Sequence, residues 1–129
     1  MDSNNRVEFI GVRIILILML LMISLYFLKQ CNIDRNKVYV VGYLTNSSSE
    51  GSEIGWVHYF NYTYDSVEYS TSFGGPIGKR ILLDSLMYIK ISAKHPNLCE
   101  PVTGTWVLAC VKKMKQPQHG WKKIPLCPE

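Results

Sequence analysis

The chain is poor in the side chains from which reaction centres are built. It has three histidines and four cysteines in 129 residues, and no two of the cysteines form a C-x-x-C pair. That absence removes the commonest signatures of a zinc site or a redox dithiol. His95 and Cys99 stand at a permissible ligand spacing, but Pro96 lies between them, and a plain surface loop is the simpler reading. A Cys-His nucleophile would need a third orienting residue and an oxyanion-forming motif, and neither is evident. The glycine-rich stretch Phe73–Arg80 (FGGPIGKR) is not a phosphate loop: Phe73 occupies the position of the first glycine, and Arg80 that of the serine or threonine after Lys79. No internal repeat and no low-complexity tract is visible. These absences predict a protein without catalytic residues, bound metal or cofactor.

What the chain does contain is an unbroken apolar run, Ile14–Leu28 (IILILMLLMISLYFL), closed by Lys29 and Gln30. These residues alone make a helix of about 22 Å, short of the roughly 30 Å hydrocarbon core of a bilayer. Extended back through Val7, Phe9, Ile10, Gly11 and Val12, the segment Val7–Leu28 reaches about 33 Å and spans. Glu8 and Arg13 then fall in its first turns, near enough to the surface for the Arg13 guanidinium to reach the headgroups. A cleaved signal peptide would need small residues before the cleavage point, and Ser24-Leu25-Tyr26 and Phe27-Leu28-Lys29 offer bulky or charged ones. Two lesser alternatives remain open: lipidation of Cys31, for which Lys29 and Gln30 are the wrong neighbours, and a buried core helix, which is seldom apolar on every face.

The flanking charges do not orient this anchor. Arg6, Arg13 and the terminal amine on one side face Lys29, Arg35 and Lys37 on the other. The cysteines decide instead. Cys31, Cys99, Cys110 and Cys127 all follow the run, an even number in a small domain, which suits two disulfides in an oxidising compartment. Of the three possible pairings, Cys99 with Cys110 and Cys31 with Cys127 is favoured, each bridge contributing about 2 to 4 kcal/mol. Four reduced thiols in a cytoplasmic domain is the competing reading.

About a hundred residues follow the anchor, enough for one small core. Five strands are expected: Lys37–Thr45, Trp56–Tyr64, Val67–Phe73, Leu86–Ser92 and Gly104–Val111. In the second, Trp56, His58, Phe60, Tyr62 and Tyr64 share the face that should meet the core. Asp65-Ser66 turns it into the third, the clearest hairpin signal in the chain. Arg80–Leu86 has room for a helical turn. The fold class is therefore mainly β with one N-terminal transmembrane helix, the strands forming a small antiparallel sheet or half-barrel. The organisation reads as a short tail (1–6), the span (7–28), a juxtamembrane linker (29–36), a β-rich domain (37–111) and a basic tail (112–129) that Cys127 can hold back on the domain.

The segments Tyr59–Tyr69 (YFNYTYDSVEY) and Tyr88–Pro96 (YIKISAKHP) resemble a widespread family of small bacterial membrane-anchored domains of unknown function. Tyr62, Tyr64, Asp65 and Tyr69 match that family's strand, turn and following tyrosine, and Ser92–Pro96 its later closing segment. The departures are Ser66 for the turn glycine, Ala93 for the first proline, and the four cysteines. The resemblance implies a β-rich module beside a membrane helix in a bacterial inner membrane and carries no catalytic residues.

Lys112, Lys113, Lys115, Lys122 and Lys123 crowd the carboxyl segment, where Glu129 is the only acid after Glu100. With Trp106 and Trp121 nearby they are candidates for contact with anionic lipid, each lysine contributing about 1 kcal/mol close to the surface. An ordinary solvated tail is the alternative, and no motif supports nucleic-acid binding. Asn46-Ser47-Ser48 and Asn61-Tyr62-Thr63 are formal glycosylation sequons, without meaning in a bacterium. The expectation is a single-pass, non-enzymatic β domain in the cell envelope, its carboxyl domain periplasmic, its partners the bilayer and an envelope protein. A tethered immunity or accessory protein, or less favourably a Cys/His metal or thiol enzyme built on His95, Cys99 and Cys110, are the alternatives.

Overall fold

The computed structural model describes residues 3–49, 55–75 and 85–127, with side chains from Phe9 onward. The chain divides into two compact units, Met1–Asn32 and Ile33–Glu129. The first is made by α1, a continuous helix over Ser3–Arg35. Leucine, isoleucine and methionine dominate it and no proline interrupts it, so little opposes helix propagation. Phe9–Arg35 is long and apolar enough to cross a membrane, and none of its apolar stretch is buried. The expected linker 29–36 is instead helical through Arg35. Lys29 to Arg35 contains neither proline nor glycine, and Arg35 in the last turn complements the helix dipole.

That last turn belongs to the second unit. Ile33 is fully buried there. Lys90 Nζ lies 3.1 Å from Asp34 Oδ1 and 2.7 Å from Glu100 Oε2. The hydrogen bond that Lys90 donates to Glu100, assisted by the one to Asp34, raises the Lys90 pKa against the opposing effect of burial.

The second unit is a five-stranded antiparallel sheet curled into a half-barrel: β1 (Lys37–Ser48), β2 (Val57–Tyr64), β3 (Val67–Gly74), β4 (Leu86–Ser92) and β5 (Cys99–Pro101). Their spatial order is β3-β2-β1-β4-β5. Central β1 pairs with β4 over Lys37–Tyr43 and with β2 over Gly42–Ser48, so Gly42 and Tyr43 alone are paired on both sides. A bulge between Leu44 and Asn46 adds to the bend. The β2–β3 hairpin closes through Asp65 and Ser66 at φ 51° and 64°, the double left-handed geometry of a two-residue turn.

Alternation then assigns the faces. The concave core takes Val38 and Val40 from β1, Phe60, Tyr62 and Tyr64 from β2, Met87, Ile89 and Ile91 from β4, and Cys99 from β5. Tyr62 stacks on Tyr69, its register partner in β3, with ring centroids 5.6 Å apart. Ile89 lies directly over Gly42, where any Cβ would collide with it. The curl brings the outer strands together: the Cys99 thiol of β5 donates to Thr71 Oγ1 of β3 at 3.2 Å. One end is capped by the loop after β4, where Tyr62 Oη donates to the Pro96 carbonyl at 2.8 Å. Trp56, expected on this face, is 55% exposed, because strand pairing begins only at Val57.

A second, smaller core lies on the convex side of β4 and β1. Tyr88, Val107 and Val111 form it, with Val41, Cys110, Trp121 and Ile124 packed around them. Its cover is the segment expected to be the fifth strand. Gly104–Val111 turns at Gly104, φ 81°, and enters a short helix, α2, over Ala109–Lys113. Val107 and Val111 stand four apart, a spacing that also suits a helical face, so an apolar run of this length is ambiguous in sequence. The actual fifth strand is the three-residue Cys99–Pro101, held to β4 through Ile91↔Cys99, Lys90↔Glu100 and Ile89↔Pro101. Of Arg80–Leu86, residues 80–84 lie outside the described residues, and Leu86 begins β4.

Candidate functional site

The tail behaves as a strap. Before Gly42, β1 runs unpaired with β2, and beyond Tyr62 β2 runs unpaired with β1, leaving backbone groups on each without a ladder partner across the split. Gln116 fills the split: its Oε1 accepts from the Val41 N–H at 2.9 Å and its Nε2 donates to the Thr63 carbonyl at 2.7 Å. A primary amide offers the donor and acceptor of a peptide unit, so one side chain replaces a missing strand residue. The Asp65 N–H donates to the Gln118 carbonyl at 2.8 Å, and Tyr39 and Trp121 exchange backbone hydrogen bonds of 2.7 and 2.9 Å. Gly120 has to be glycine here, at φ +64° with the Tyr39 carbonyl oxygen 2.8 Å from where a Cβ would sit.

The cysteines pair differently from expectation. Cys110 of α2 is bridged to Cys127, with Cα atoms 5.9 Å apart, while Cys99 and Cys31 are free. Cys99 points into the concave core beside Thr71 and cannot meet Cys110, which packs on the convex side. Cys31 is an exposed thiol on α1. Cys127 does hold the tail on the domain, through Cys110. With Cys110 in a disulfide, the trio His95, Cys99 and Cys110 is not assembled. Among the described residues no group of three or more His, Cys, Asp or Glu side chains is placed to hold a metal ion. His58 is buried, with Nδ1 2.8 Å from Ser47 Oγ. His119 stands 3.5 Å from Asp65.

Where the strap does not reach, the convex face over β1, β2 and β3 is polar and open. Glu68 Oε1 accepts from Tyr43 Oη at 2.7 Å and from Asn61 Nδ2 at 3.0 Å, and Ser70 Oγ donates to Asn61 Oδ1 at 2.9 Å. The bonds from Tyr43 and then Asn61 lower the Glu68 pKa, and the same carboxylate raises that of Tyr43. This chain of polar groups borders a groove of about 470 Å³ lined by Thr45, Asn46, Tyr59, Asn61 and Ser70 to Ser72. Tyr59 and Tyr43 are each 42% exposed beside it. The two sequon asparagines sit on this face, Asn46 after the bulge and Asn61 within the hydrogen-bonded chain.

Burial raises the Tyr62 pKa, with Cys99 adding to it, and burial alone raises that of Tyr88. Tyr88 Oη has no hydrogen-bond partner among the described residues. The five carboxyl-segment lysines are all exposed, but they fall in two places: Lys112, Lys113 and Lys115 on and after α2, and Lys122 and Lys123 after Trp121. Sequence reasoning missed the groups with most structural consequence, Gln116 and the Tyr43–Glu68–Asn61 chain. The second was open to detection, since Tyr43 and Asn61 are outward in their strands and pair directly in register. No family model, curated protein or solved structure matches the chain.

Proposed function

We propose that the protein is a single-pass, membrane-anchored β module that acts by binding an envelope protein rather than by catalysis. One observation carries the reading: Phe9 to Leu28 expose apolar side chains on every face of a helix long enough to span. Water is a poor solvent for such a surface and lipid a good one. The Cys110–Cys127 disulfide supports an oxidising compartment for the β domain, hence a periplasmic domain on an inner-membrane anchor. The bacterial setting rests on the tyrosine and turn pattern of the β2–β3 hairpin.

The open convex face is the binding surface. Tyrosine, asparagine and serine around a shallow groove are the side chains that give adaptable polar contact and rigid aromatic area at low entropic cost. Lys90, Asp34 and Glu100 hold the last turn of α1 to β4 and β5. A photocrosslinker placed at Tyr59 in native membranes should yield a discrete adduct with a second protein. Recovery of the uncrosslinked monomer alone, from a protein that resists carbonate extraction, would defeat the interaction reading while leaving the anchor intact.

A further inference from the structure

The lysines after Trp121 do not stand alone. Lys37 opens β1 one residue after Asn36, whose carbonyl accepts the Ala93 N–H at 2.8 Å, and that bond brings Lys94 to the same end of the sheet. The paired backbone bonds between Tyr39 and Trp121 bring Lys122 and Lys123 there as well. Three segments remote in sequence thus deliver Lys37, Lys94, Lys122 and Lys123 to the end of the sheet at which α1 enters it. The acids of that end are engaged elsewhere: Asp34 and Glu100 on Lys90, Asp65 on Gln118 and His119. Among the described residues none of the four lysines has a carboxylate within ion-pairing distance.

Chain geometry limits how far this end can be from the bilayer. The apolar run stops at Leu28 and the helix continues unbroken to Arg35, seven residues that span about 10 Å. Whatever the tilt, Arg35 cannot be farther than that from the hydrocarbon edge, and the headgroup layer takes up about 6 Å of it. Lys37 follows Arg35 by two residues, so the end of the sheet that carries the four lysines is tethered near the headgroups, where attraction to anionic lipid acts over a Debye length of roughly 8 to 10 Å.

Resting on the membrane-anchored reading above, we infer that this end of the domain is a docking surface for anionic phospholipid headgroups, with Lys37, Lys94, Lys122 and Lys123 as its contacts. Lys112, Lys113 and Lys115 are not part of it. α2 packs Val111 against Tyr88, the register partner of Val41, and Gln116 reaches Val41 itself, two residues farther up β1 than the Tyr39–Trp121 pair. Lipid contact thus selects two of the five lysines crowded in the carboxyl segment and adds two from elsewhere.

The full chain reconstituted in nanodiscs of phosphatidylcholine, or of phosphatidylcholine with 30% phosphatidylglycerol, tests this by amide hydrogen exchange. In the anionic discs at low salt, the segments around Lys94 and around Lys122–Lys123 should exchange severalfold more slowly than in the neutral discs. The difference should vanish in 0.5 M salt and in Lys122→Gln/Lys123→Gln, and persist in Lys112→Gln/Lys113→Gln/Lys115→Gln. Equal exchange in the two discs, or loss of the difference in the triple variant alone, overturns the inference. Extraction of the protein from membranes by alkaline carbonate would overturn the anchored reading itself, a separate outcome.

Discussion

The two sides of the sheet are stabilised by different means. The concave side is closed by the strands themselves: β3 and β5 approach until Cys99 meets Thr71, and Ile89, Val40 and Phe60 between them lose all contact with solvent. Among the described residues no second sheet covers the convex side. Half of it is closed by a late segment of the chain, Val102 to Cys127, and the other half stays open and polar. A small curled sheet can thus bury one face by curvature alone. Its other face is then divided between a structural cover and an open polar surface.

The contrast can be broken first at its strongest point. Ile89→Ala removes a fully buried side chain seated over Gly42, where the backbone cannot move in to fill the space, and should destabilise by about 4 kcal/mol. Thermal unfolding of the chain in detergent micelles would register this as a large fall in Tm. On the strapped half, Cys110→Ser/Cys127→Ser opens a loop with a sequence separation of 17 and should cost about 3 kcal/mol. The contrast sharpens if that variant exposes Tyr88 to solvent while the Tyr62–Tyr69 stack keeps its near-ultraviolet dichroism.

Gln116→Ala is expected to cost less, about 1 to 2 kcal/mol, by leaving the half-buried Val41 N–H unpartnered. Hydrogen exchange at Val41 should accelerate well before that of Val40. The smallest effect belongs to the open half. Glu68 has its pKa held below the ordinary 4.5 by Tyr43 and Asn61. Its contribution is complete above the unfolded-state value and is lost as the pH falls through the lower, folded-state one. Glu68→Gln should flatten the acid limb of the stability profile slightly: its small Tm deficit against the parent, present above about pH 4.5, should shrink as the pH falls further.

Sequence patterning reached the concave side and the N-terminal apolar helix far better than the convex side. Strict alternation in Val57–Tyr64 and Val67–Gly74, with a two-residue turn between them, is a local signal and located the hairpin within a residue. The strap has no such signal. Gln116 is a polar residue among lysines and prolines, and its role depends on two strands diverging 50 to 75 residues earlier. Cys99–Pro101 is too short to show a period, and Gly104–Val111 shows one that fits strand and helix alike. The disulfide partners followed from which face each cysteine occupies, which depends on register rather than on spacing. The open polar face was half legible: its strands were found, but the carboxylate that links Tyr43 to Asn61 comes from across the hairpin.

Gln116 also sets an order of events for folding. The first half of β1 has β4 on one side but acquires its other neighbour only when a segment 75 residues later returns to Val41. Until then that edge presents unpaired backbone groups, the kind of edge through which chains associate wrongly. Closing so distant a contact is slow relative to hairpin formation, so the edge persists through the early stages of folding. Closure by the strap ends that exposure, so the same contact that stabilises the native sheet also removes an edge open to self-association.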